Sequence, residues 1–131
     1  MQYSVAVRNA KLNVIEQEIG ANASLKLMSG QLPDNCASRE TGFALATLEL
    51  PPDFLQQASQ GQIEKAGSWG PTRGSAPGVP AYFRIYDADG ICHIQGTVGL
   101  TEKHDMQLTK MTIGSDQPFT VERFTIRDNN G

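Results

Sequence analysis

The chain has 131 residues, enough for one domain with a single modest core, and its 39% apolar and 19% charged content belong to a globular protein rather than a disordered one. A net charge of −3 supplies no basic surface on which to argue nucleic-acid binding, and no apolar run approaches the roughly 20 residues needed to cross a bilayer. One domain over residues 1–131 is expected, with neither nucleic acid nor membrane as its partner.

The opening stretch, MQYSVAVRNAKLNVIEQEIG, is polar at every third or fourth residue and unlike a signal peptide, so synthesis in a cytoplasm is expected. Residues 1–20 read as a helix. Ser4 can cap it, Val7, Lys11, Leu12, Val14, Ile15, Glu18 and Ile19 form a one-sided stripe at helical spacing, and Gly20 closes it. A short alternating strand through Tyr3, Val5 and Val7 competes, but the stripe continues past it.

From residue 24 to 128 the texture is that of a β-sandwich. SLKLMSG (24–30) alternates and ends in a turn, and QLPDNCASRETG (31–42) is a loop. FALATLEL (43–50) is a strand whose core face is Ala44, Ala46, Leu48 and Leu50, because the other face carries Thr47 and Glu49. PPDFLQQASQG (51–61) reads as a short helix or one turn of it, with Pro52 in the first turn and Gly61 at the end. QIEKAGSW (62–69) is a further strand. GPTRGSAPGVP (70–80) holds too many Gly and Pro residues for a regular element and reads as an exposed loop or arm.

The stretch AYFRIYDADGICHIQGTVG (81–99) reads as a hairpin. Asp87, Asp89 and Gly90 resemble the opening of a calcium loop, but the residues that follow form a strand and end the ligand set. Cys92 and His93 are adjacent, so on a strand they point to opposite faces and do not form a nucleophilic pair. MQLTKMTIG (106–114) and PFTVERFTIRD (118–128) supply the remaining strands. About eight strands behind one helix suit an antiparallel β-sandwich or jelly-roll-like barrel.

No catalytic constellation emerges. There is no C-x-x-C, H-E-x-x-H or G-x-S-x-G spacing, and the Gly-rich run GSWGPTRGSAPG, which contains Arg73, lacks the Gly-Lys-Ser/Thr ending of a phosphate loop and is not followed by a helical pattern. No enzyme activity, metal or other cofactor is expected. Cys36 and Cys92 can pair, but in an unsecreted chain two free thiols are the commoner outcome. Trp69 begins the Gly/Pro-rich run, placed to anchor that loop to its own body or to another chain. With Pro71, Arg73, Pro77, Val79, Tyr82 and Tyr86 it makes up the expected partner interface.

The segments VRNA, LKLMSGQLPDN, LATLELP, AYFRIYD, HIQGTVG and FTVERFTIRD together resemble a family of small β-rich proteins from the structural-gene regions of tailed bacteriophages and prophages. Its members carry an L-x-I-Y-x-G-x-x-P strand, a later FRIYD strand with a Gly-containing turn, and a final FTIT-like strand. Here Met28 stands where an aromatic is usual, and EKHDMQ (102–107) replaces a more Gly-rich stretch. The resemblance implies a virion component. Its leading form is a capsid cement or decoration protein, bound across major capsid subunits on the capsid surface and made in the bacterial host cytoplasm. A homotrimer is expected by analogy with other jelly-roll cements. The alternatives are a tail, head–tail adaptor or fibre-associated virion protein, and, in a different class, a carbohydrate-binding module using Trp69, Tyr82 and Tyr86.

Overall fold

Helix α1 spans Val5–Ile19 in the computed structural model, which describes residues 1–128; residues 129–131 of the expected domain lie outside the described residues. The Ser4 hydroxyl accepts the Val7 N–H at 3.2 Å, and Gly20, at φ +78°, donates its N–H to the Glu16 carbonyl. The apolar stripe is narrower than its spacing implies. Leu12 and Ile19 are buried and Ile15 packs on the core, while Val7 and Val14 face solvent.

The second contact of α1 is polar. Asn9, Asn13 and Glu16 lie along one side of the helix and accept the backbone N–H groups of Gly61 (2.8 Å), Ala58 (2.7 Å) and Leu55 (2.7 Å). Residues 51–61 therefore do not form the expected helix. The N–H groups of Leu55, Ala58 and Gly61 go to side chains of α1, and those of Gln56 and Ser59 to the carbonyls of Glu64 and Gln62, instead of to carbonyls one turn back, with isolated bridges Leu55–Lys65 and Ser59–Gln62. Phe54 and Leu55 point inward from the segment and are buried.

Nine β-segments follow: β1 Ser24–Met28, β2 Ala44–Glu49, β3 Gln62–Glu64, β4 Thr72–Arg73, β5 Tyr82–Tyr86, β6 Cys92–Gly99, β7 Met106–Leu108, β8 Pro118–Phe119 and β9 Val121–Arg127. Seven form one sheet in the order β2-β1-β5-β6-β7-β9-β3, and β4 and β8 form a separate ribbon. Every pairing is antiparallel except β6 with β7. The mainly β, sandwich-like architecture behind an amino-terminal helix is thus what the chain adopts.

Cross-strand rows explain the core. Leu48, Leu25, Ile85 and Ile94 form one row, and Ala46, Leu27, Phe83 and Gly96 the next. A Cβ at Gly96 would stand 2.9 Å from the Phe83 ring, so the missing side chain lets that ring lie across β6. The Phe83 ring meets Phe124 of β9 edge-on at 5.4 Å, although β6 and β7 intervene in the strand order. The sheet curls, and its two ends enclose the core. Leu45 joins Ala46, Leu48 and Leu50 in the core while Ala44 is half-buried, because the β1–β2 register shifts between Leu27 and Met28 and re-aims the chain there.

Candidate functional site

The expected interface residues separate into two groups. Trp69 and Tyr82 are fully buried and Tyr86 is 7% exposed, so these three present no surface to a partner or a sugar. The Trp69 ring packs 5.3 Å from Phe124 and 6.4 Å from Phe54, and its indole N–H donates to the Ala66 carbonyl at 3.2 Å. It is an intramolecular anchor. Pro71, Arg73, Pro77 and Val79 are exposed. Their loop is no free arm: Thr72 and Arg73 pair with Phe119 and Pro118, Ser75 N–H donates to the Leu45 carbonyl, and Gly78 exchanges backbone bonds with Ile113. The Arg73 guanidinium also donates to the Asp116 carbonyl.

The tyrosines are buried by residues 31–41, which fold as a flap over the outer face of β1, β5 and β6. The Tyr82 hydroxyl donates to the Thr41 carbonyl (2.8 Å) and accepts the Thr41 N–H (2.9 Å). Arg84, 3% exposed, donates to Gln95 Oε1 at 3.0 Å and to the carbonyls of Asn35 and Ser38 at 3.1 and 2.8 Å. Gln95 in turn donates to the Pro33 carbonyl at 2.7 Å. The flap carries Cys36 onto Cys92, which stands opposite Tyr86 on β6. Both thiols are free. Burial pushes the Cys92 thiol up to about 12, with the Cys36 thiol adding to the effect. Burial likewise raises the Tyr86 phenol to about 12; its hydroxyl lies beside Arg84 and Glu40 but makes no hydrogen bond of normal geometry among the described residues. Sequence reasoning missed this layer, although alternation in AYFRIYD had already put Tyr82, Arg84 and Tyr86 on one face.

The acidic corner is a hairpin turn. Asp87 Oδ1 accepts the N–H groups of Asp89 (2.9 Å) and Ile91 (3.0 Å), Asp87 N–H donates to the Ile91 carbonyl, and Gly90 adopts φ +81°. His93 Nε2 lies 2.8 Å from Asp87 Oδ2. The Ile91 N–H, followed by His93, holds the Asp87 carboxyl below its usual range. Cys92 turns to the flap and His93 to Asp87, as adjacency on a strand predicts. Among the described residues, no three His, Cys, Asp or Glu side chains converge on a point.

Two surface features stand out. The first is an apolar end of the sheet, where β1 stops and β2 and β5 begin. Phe43 is 75% exposed there, Val79 59% and Leu100 53%. The second is a gap in the sheet itself. Strand β7 fills the lane between β6 and β9 for only three residues, and beyond Asp105 no strand among the described residues occupies it. A cavity of about 570 Å³ lies on its core side, walled by Ile94 and Gln95 of β6, Phe124 and Ile126 of β9, and Ile15 and Ile19 of α1. A polar cavity of about 280 Å³ lies on its outer side, and Asp105, Thr125 and Arg127 line both. The Asp105 carboxylate closes the base of the lane by accepting the Thr97 N–H at 2.9 Å.

Comparison of the chain with protein-family models, with curated proteins and with solved structures finds no match in any of the three.

Proposed function

We propose that this protein works by contact rather than by catalysis, as a small docking protein whose specific form is a cement or decoration protein on a phage capsid. The observation that carries the reading is the apolar end formed by Phe43, Val79 and Leu100. Large apolar side chains this exposed gain free energy by burial against another chain, at roughly 25 cal/mol per Å². The braced Pro-containing loop beside them loses little conformational freedom on docking, which lowers the cost of association. Repetition over a lattice multiplies modest contacts into firm attachment. The resemblance to virion proteins gives the lattice its identity, with the major capsid protein as partner and a homotrimer as the assembly.

A tail, adaptor or fibre position would use the same surface. The carbohydrate-module reading loses its aromatic platform, since Trp69, Tyr82 and Tyr86 lie inside the fold. Antibody raised against the chain and imaged by immunogold microscopy on intact phage particles separates the virion readings. Label over the head supports the cement role, label at the neck or tail replaces it with the alternative, and no label on any particle removes the virion reading. Phe43→Ser combined with Val79→Ser abolishes occupancy if this end is the contact.

A further inference from the structure

We propose that the lane above β7 is a binding slot for one extended peptide strand of a partner, running parallel to β6 and antiparallel to β9. The inference rests on the gap in the sheet and not on the virion reading.

The walls of the lane are backbone edges. Thr97 donates its N–H away from β5, to Asp105; Gln95, two residues earlier on the same pleat, aims its N–H and C=O the same way. Across the lane, the Phe124 carbonyl and the Asp128 N–H bond toward β3 and its flanks, so the intervening odd residues Thr125 and Arg127 aim away from β3. Thr125 stands opposite Asp105, one step past the Met106–Phe124 pair, and beyond it no backbone hydrogen bond among the described residues reaches Gln95 or Arg127 from the lane. Unpaired N–H and C=O groups on a strand edge are a template for strand addition, and here Gln95 and Arg127 present them from the two sides of one lane.

The lane is one strand wide because β7 occupies its continuation and pairs with both neighbours, Val98 with Met106 on one side and Gln107 with Arg123 on the other. An extended polypeptide carries donors and acceptors on both edges at this spacing, which is what the two walls require. The two faces set its side chains. Those turned to the core side meet Ile15, Ile19, Phe83 and Phe124; those turned outward meet Glu64, Glu102, Lys103 and Arg123. The occupant is therefore a segment that alternates apolar with polar or charged residues.

The test titrates the isotope-labelled protein with a blocked pentapeptide of alternating threonine and valine, read by amide chemical shifts and amide hydrogen exchange. The expected result is saturable shifts and slowed exchange at Gln95 and Arg127. Methylating the backbone nitrogens of the peptide that face one wall weakens binding by about tenfold, the size of one well-placed hydrogen bond. Arg127→Pro, which removes a lane-facing N–H but no β3 bond, weakens it similarly. Absence of shifts at millimolar peptide overturns the proposal, as does equal binding of the methylated peptide or a response centred on Phe43 and Val79. Should Arg127→Pro fail to fold, the methylated peptide decides alone.

Discussion

The flap (31–41) and the loop at 70–80 are both punctuated by turn formers, and both read from sequence as surface connections. The fold orders them by opposite means. The flap is held by side chains reaching from the sheet: Tyr82 to Thr41, Arg84 to Asn35 and Ser38, and Gln95 to Pro33. The 70–80 loop is held mainly by its own backbone, through the β4–β8 ribbon and bonds to Leu45, Ile113 and Gln117, with Trp69 buried at its entrance. Backbone pairing tolerates most side chains, whereas a side-chain clamp depends on particular residues. The flap should therefore be sensitive to substitution beneath it and the loop to substitution only at its anchor.

Trp69→Ala tests the anchor and has the largest expected effect. It empties a fully buried site between Phe54 and Phe124 and costs about 4 kcal/mol in denaturant unfolding followed by circular dichroism. A loss under about 1 kcal/mol would show that the surrounding core collapses onto the site.

Arg84→Ala breaks the flap clamp. It leaves the Ser38 carbonyl and Gln95 Oε1 without their donor, removes one of the two donors to the Asn35 carbonyl, and costs about 3 kcal/mol, with faster alkylation of Cys36 as the local readout. Unchanged alkylation would mean that backbone contacts hold the flap and that the two connections do not differ in kind.

Alkali loosens the flap next. Cys92 and Tyr86 are both raised to about 12 from ordinary values of 9.0 and 10.0. The fold thus favours their neutral forms: that stabilisation is complete below the ordinary values and is lost as pH climbs from 9 through about 12. Limited proteolysis between residues 31 and 41 should accelerate over that interval while the 70–80 loop stays resistant. Equal acceleration in both would place the transition in the whole fold.

Val79→Ser has the smallest effect on stability, within about 0.5 kcal/mol, because the side chain touches water and its loop is fixed by backbone bonds. A larger loss by thermal melt would reveal a packing role for Val79 within its own chain.

Local chemistry accounts for the elements legible in advance. Ser4 and Gly20 delimit the helix, Asp87 and Gly90 turn the hairpin, and alternation marks β1, β5 and β6. The misreadings share one cause. Residues 51–61 carry turn and helix signals but form no helix because Asn9, Asn13 and Glu16, some 40 to 50 residues earlier, capture the N–H groups of Gly61, Ala58 and Leu55. The tyrosines of β5 read as a contact face, yet the flap covers them through bonds that no local pattern encodes. The lane was equally invisible, since it exists only because β7, set between β6 and β9, is three residues long.

The helix ends, the alternation of β1, β5 and β6 and the hairpin corner were written in short-range preferences, where propensity, capping and alternation act within a few residues. Which polar faces are buried, which loop is braced, and where strand edges stay open depended on contacts between distant segments. Those contacts follow from chain topology and from side chains meeting across it, which no window along the sequence contains.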